Sequence, residues 1–271
     1  MQGMTKPALV LLHGWGMSSA VWAGLPAPLL KTLEDWTLTP LDLPGHGGIP
    51  CPPGGADLGT WADACLALAP PQAVWLGWSL GGLVALAAAL RAPQRVTALV
   101  LMTATPRFVR AADWPPGMAA ETLAQFHAGL LAGPAGTLDR FLALQVRGSD
   151  AARETLRTLR RELAARPAPD PQALALGLEL LRDSDLRGRL AEVACPSLWL
   201  FGSYDTLVPA ATGSALAELA PAARIRAQVI RGAAHAPFLS HPAETAAILG
   251  GFLTGLAGAE TLALDTQEGF A

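Results

Sequence analysis

The sequence predicts an α/β fold: a mostly parallel sheet flanked by helices and interrupted once by a helical insertion. Three observations lead there. Short apolar runs of strand length, "ALVLLH", "AVWLGW", "RVTALVLM" and "PSLWLFG", alternate with stretches of helix length. Runs that stay apolar at every position belong to strands buried on both faces, the condition of a parallel sheet. The rhythm breaks between residues 107 and 190, where no strand-like run occurs and "DWPPG", "AGPAG" and "RPAPDP" punctuate several helices.

In order, strands are expected at 8–13, 36–42, 73–78 and 95–102, with helices near 57–69 and 80–91. After the insertion, strands at 196–202 and 223–230 alternate with helices near 210–220 and 242–254. The implied organisation is a core of residues 1–106 and 191–257 with a helical lid over 107–190. Residues 258–271, "GAETLALDTQEGFA", lack amphipathic period and are expected to form a loose tail.

Composition narrows the class. A chain of 271 residues that is 51% hydrophobic has material for one large core. No apolar run reaches the roughly 20 residues of a membrane span, and the first apolar stretch is too short for an export signal. A cytoplasmic protein is expected, with no membrane partner. Cys51, Cys65 and Cys195 have no metal-like spacing and form no disulfide framework, so no metal site is expected. The net charge of −3 argues against nucleic acid as a partner.

The chemistry concentrates in "GWSLGG". Gly77-Trp78-Ser79-Leu80-Gly81 matches Gly-x-Ser-x-Gly, a pattern that chance alone produces too often to decide a function. Its context decides: a strand before it, a helix after it, and a further Gly82 where helix and strand must pack closely. Glycines around Ser79 remove the side chains that would clash in so sharp a turn, leaving the hydroxyl at a helix N-terminus. A serine hydroxyl needs a base. Of five histidines, His235 follows the last strand and precedes the last helix, within reach of the sheet edge. His241 reads as a capping or surface residue, His46 as a residue shaping its loop, His127 as a packing residue of the lid, and His13 as part of "HGWG". Asp205, just past the strand 196–202, suits the carboxylate that orients the base; Asp42 lies in another loop, and Asp183 and Asp185 lie on the lid. The oxyanion donors expected are the backbone N–H groups of Leu80 and Trp15, with the Trp15 indole walling an acyl pocket.

These motifs resemble the α/β-hydrolase superfamily over almost the whole chain, which implies the α/β-hydrolase fold. "LVLLHGWGM", "WLGWSLGGLVA", "RFLALQ" and "AAHAPFLSHPAE" are similar to a narrower family, the methyl ester esterases of biotin biosynthesis. That resemblance implies a serine esterase without a cofactor, cleaving the methyl ester of pimeloyl-acyl-carrier protein and releasing methanol. It also implies substrate contacts at Trp15, Ser79, Leu80, Phe141, Leu142, Ala143, Leu144, Gln145 and His235. An acidic carrier protein is then expected to dock on the lid, the enzyme itself being a monomer. Charge agrees: residues 140–166 carry seven arginines against Asp150, Glu154 and Glu162. Arg153, Arg157, Arg160 and Arg161 are spaced to share one helix face, with Arg140 nearby. The plainer reading of that face is a solvated helix with local pairs such as Glu154–Arg157 and Glu162–Arg166. A general short-chain esterase, another lidded serine hydrolase and a non-catalytic binding protein on the same fold are the alternative functions.

Overall fold

The computed structural model of the protein describes residues 6–52, 57–220 and 223–268. The chain opens with β1 (Ala8–Leu12), two short helices α1 (Ala20–Ala23) and α2 (Ala27–Thr32), and β2 (Thr37–Leu41). Then come α3 (Leu58–Leu68), β3 (Ala73–Trp78), α4 (Leu80–Arg91) and β4 (Val96–Met102). Helices α5 (Ala120–Ala132), α6 (Pro134–Gln145), α7 (Ala152–Ala164) and α8 (Pro171–Asp183) follow, with a 3-10 turn at Arg187–Glu192. The chain returns through β5 (Ser197–Gly202), α9 (Ala211–Leu219), β6 (Ile225–Ile230), α10 (Pro237–Ser240) and α11 (Pro242–Glu268).

Among the described residues the sheet has six strands in the order β2-β1-β3-β4-β5-β6, each pair parallel. Period-two alternation sends successive side chains to opposite faces. Val10 and Leu12 join Trp61, Leu83 and Leu216 from α3, α4 and α9, while Leu9 and Leu11 join Val21, Leu29, Phe238 and Leu249 from α1, α2, α10 and α11. Strands with helices on both sides are therefore mostly apolar, and β3 and β5 are buried at every position. The chain reverses direction across the sheet between β1 and β3. Loops leaving the C-terminal ends of strands on either side of such a point enclose a crevice, the usual place for a site in open α/β sheets.

All six strands and the four core helices lie where the sequence places them, within two residues at most strand ends. The short helices α1, α2 and α10 were not expected, since four to six residues are too few to display a helical period. Helix α11 continues through Glu268, where a loose tail was expected from residue 258; the run there is rich in alanine and leucine, strong helix formers that need no amphipathic period. Residues 269–271 of that tail lie outside the described residues. The inserted helices do not stand apart from the core. Leu138, Phe141 and Leu174 pack into one apolar cluster of the sheet and Leu142, Val146 and Leu159 into the other. No described helix is long and apolar enough to cross a membrane.

Candidate active site

Strand β3 ends at Trp78 and α4 begins at Leu80, so a single residue makes the turn. Ser79 takes φ 56° and ψ −119°, a strained conformation for a residue with a side chain. Surrounding glycines permit it by close backbone approach: a Cβ on Gly81 would sit 2.5 Å from the His13 carbonyl oxygen and 2.6 Å from that of Leu12. The Ser79 N–H donates to Met102 O at 3.0 Å, tying the turn to the neighbouring strand.

The hydroxyl of Ser79 lies 2.9 Å from His235 Nε2, and His235 Nδ1 lies 2.7 Å from Asp205 Oδ2. Asp205 Oδ1 accepts from the N–H groups of Leu207 (2.8 Å) and Val208 (3.0 Å), so the carboxylate is aimed by the turn after β5. These bonds require Nδ1–H toward Asp205 and a lone pair on Nε2 toward the serine, the tautomer a general base needs. His235 leaves the loop between β6 and α10, where Gly202 lets β5 pass within reach of the Ala233 carbonyl. Ser79, Asp205 and His235, distant in sequence, are thus in one buried chain of hydrogen bonds.

The N–H of Leu80, first residue of α4, has no intrahelical acceptor, and among the described residues neither it nor the Trp15 N–H is taken up by a turn or cap. Leu80 directly follows Ser79, and the loop before Trp15 lies close to it: a Cβ on Gly14 would sit 3.3 Å from the Trp78 ring and 3.4 Å from Ser79 Cβ. The Trp15 indole is fully buried: Nε1–H donates to Leu174 O of α8 at 2.8 Å, and the ring meets Phe141 edge-on at 4.8 Å. Behind this loop His13 donates Nδ1–H to Gly14 O at 2.8 Å and accepts from the Leu43 N–H at Nε2 (3.0 Å). Burial, then the neighbouring His46, pushes His13 well below the usual imidazole range, which keeps Nε2 free to accept.

The segment 141–145 is divided by its helix. Phe141, Leu142 and Gln145 face inward, Leu144 is half-buried, and Ala143 is exposed, turned outward because it lies on the opposite side of α6. Ser79 is only 2% exposed and His235 only 1%, so the described arrangement is closed. A groove of about 890 Å³ opens beside it, between α6, α7, the start of α8 and the loop at 45–49. Leu138, Leu142 and Leu174 form its inner wall, and Leu138 abuts Gly16 next to Trp15. The sequence reading missed this groove and Leu138; their signal was the apolar pair Leu138 and Leu142, four residues apart on α6.

The five arginines are all exposed but not equivalent. Arg160 is bidentate to Asp139 at 2.7 and 2.9 Å, Arg161 pairs with Glu162, and Arg140 donates to Thr137 Oγ1 at 3.3 Å. Arg153 and Arg157 form no ion pair among the described residues. Among the described residues neither Glu154–Arg157 nor Glu162–Arg166 forms; Glu162 is buried and pairs with Arg161 instead. His127 is a correction of another kind: its side chain is 39% exposed, 3.9 Å from Glu179, rather than packed.

A parallel sheet with a serine on a strained strand-to-helix turn, hydrogen-bonded to a histidine and an aspartate, defines an α/β hydrolase. The chain belongs to the alpha/beta hydrolase fold family, whose pattern it matches over residues 7–242. It is 47% identical to the pimeloyl-[acyl-carrier protein] methyl ester esterase of Xanthomonas oryzae pv. oryzae, across 92% of this chain and 96% of that one. The protein of the same name from Stenotrophomonas maltophilia is 47% identical across 94% and 95%. An esterase from Exiguobacterium antarcticum shares the fold, with a TM-score of 0.78 at 21% identity over 92% of each chain.

Proposed function

We propose that the protein is a serine carboxylesterase that hydrolyses the methyl ester of pimeloyl-acyl-carrier protein, releasing methanol, in biotin biosynthesis. One observation carries this reading: a Ser79–His235–Asp205 hydrogen-bonded chain in a protein 47% identical, over nearly all its length, to esterases named for that substrate. Ser79 Oγ attacks the ester carbonyl while His235 Nε2 takes its proton. Asp205 orients the imidazole and stabilises the imidazolium. The N–H groups of Leu80 and Trp15 receive the oxyanion, a contribution worth on the order of 100- to 1000-fold per donor. His235 then protonates the departing methoxy group. Methanol leaves, and a water that gives its proton to His235 cleaves the acyl-enzyme.

The inserted helices act as a lid in this scheme. The groove between α6, α7 and α8, whose inner wall includes Leu138 and Leu142, is the candidate path for the acyl chain. The acidic carrier docks on the exposed face of α6 and α7. Arg153 and Arg157, which have no carboxylate partner among the described residues, and Arg140 contribute most; Arg160 and Arg161 are already neutralised by Asp139 and Glu162. Docking of this kind raises the association rate more than the affinity and weakens with salt.

The test is hydrolysis of methyl pimeloyl-acyl-carrier protein against free dimethyl pimelate at low and high salt, with Ser79→Ala as the blank. A preference for the carrier-bound ester that salt erodes is the expected result. Equal, salt-independent rates on both would make the protein a general esterase. A Ser79→Ala variant as active as the parent would remove the triad assignment altogether.

A further inference from the structure

Two non-glycine residues among those described have positive φ: Ser79 at 56° and Thr103 at 45°. They are neighbours. Strand register pairs Trp78 with Met102, so the next residue on β3 is the serine and the next on β4 is Thr103. A β-branched residue in this region is strained, and strain persists only where the surroundings over-determine it. The Thr103 N–H donates to Leu200 O of β5 at 2.7 Å, and its hydroxyl donates to the carbonyl of His235 at 2.8 Å. The same carbonyl accepts from the Trp78 indole N–H at 2.7 Å. On the other side of that residue, the His235 N–H donates to Gln145 O at 2.9 Å. Trp78, Thr103 and His235 are all buried, so no water competes for these bonds.

We infer that Trp78 and Thr103 are positioning residues, which clamp the backbone carbonyl of His235 from strands β3 and β4 and thereby set the imidazole on Ser79. The inference rests on the proposed role of His235 as base. A histidine on a loop has rotational freedom about its own backbone, and its ring can hold a 2.9 Å bond to Ser79 only while that backbone is fixed. Both carbonyl lone pairs are occupied, one by each flanking strand. Gln145 fixes the amide from the last residue of α6, so the loop that carries the base is held by the sheet and by the insertion together. The clamp also accounts for a tryptophan directly before the nucleophile. Packing alone could use phenylalanine there, whereas only the indole supplies a donor.

The experiment is steady-state hydrolysis of dimethyl pimelate by Thr103→Val, Thr103→Ser, Thr103→Gly and Trp78→Phe. Sites are counted with a fluorophosphonate probe, and thermal unfolding is followed in parallel. Thr103→Val keeps the shape and deletes the donor; kcat per titrated site should fall on the order of tenfold with KM nearly unchanged, as for a misplaced base. Thr103→Ser retains the donor and should recover most of kcat. Thr103→Gly relieves the positive φ and deletes the hydroxyl, so a reduced kcat in a protein of equal or higher Tm separates positioning from stability. The Trp78→Phe and Thr103→Val effects should combine to less than their product, since both act through one carbonyl. Full kcat in Thr103→Val and Thr103→Gly, or losses that only track lost folded sites and are not restored by serine, would overturn the inference. Ser79→Ala keeps the two questions apart: activity there sinks the triad itself, whereas an inactive Ser79→Ala beside a fully active Thr103→Val sinks only the clamp.

Discussion

His13 and His46 lie buried with ring centroids 5.2 Å apart behind the loop that carries Trp15. Desolvation lowers both from the ordinary 6.5, and the neighbouring His46 lowers His13 further. The unfolded chain binds these protons near pH 6.5 while the folded protein refuses them. Stability from the neutral pair is therefore complete above that pH and is lost as pH falls below it toward the depressed folded values. Each unit of depression corresponds to about 1.4 kcal/mol. Melting temperature should drop between pH 7 and pH 5, and His13→Asn should start lower but fall less steeply. An unchanged slope in that variant, measured by thermal scanning, would exclude His13 as a source of the acid sensitivity.

Helix α8 is apolar on most of its circumference because it lies between α5 and the core rather than on the surface. Its Leu174 carbonyl holds the Trp15 indole, and three residues on, Gly177 leaves the space that the indole fills. A Cβ at that position would lie 2.7 Å from Trp15 Cδ1 and 3.3 Å from Leu80 Cδ2, against both residues proposed to supply the oxyanion donors. Gly177→Ala improves helix propensity, yet overpacking should cost about 1–3 kcal/mol. It should also lower kcat, by up to about 100-fold if the donors move by 1 Å. Kinetics and denaturant unfolding on the same sample check both halves. A more stable variant with wild-type kcat would show that α8 merely covers the loop.

Across the whole molecule, charge is divided. Residues 107–190 hold 12 arginines against 10 acidic residues, a net of +2, so the remaining chain carries −5 of the total −3. Only part of that positive charge is unpaired. Arg153→Glu and Arg157→Glu should each raise KM for the carrier-bound ester on the order of tenfold, equivalent to about 1.4 kcal/mol of lost complementarity. KM for dimethyl pimelate should not move. Arg160→Glu, which breaks a surface pair with Asp139 worth about 0–1 kcal/mol, should act more weakly on docking. Equal effects of all three, or effects on both substrates, would contradict docking at this face.

Much was legible before any coordinates. The four inner strands announced themselves as short apolar runs, because burial on both sheet faces leaves few polar positions to blur them, while the edge strands β2 and β6 mix polar with apolar residues. Ser79, Asp205 and His235 were each readable from a position just past a predicted strand, since parallel strands deliver their C-terminal loops to one edge. Other features were illegible for a common reason: they depend on what lies opposite. Trp78 and Thr103 reach His235 across sequence separations of 157 and 132 residues. The Trp15 indole finds Leu174 across 159. Ala143 turns outward, Arg160 is neutralised and Arg153 is left unpaired, all according to how α6 and α7 pack together. Local propensity and hydrophobic period determined the elements and the order of the chemical groups along the chain. Their distances, their partners and the closure over Ser79 were decided only in the packed molecule, where burial removes water and leaves a polar group only the partners that the fold brings to it.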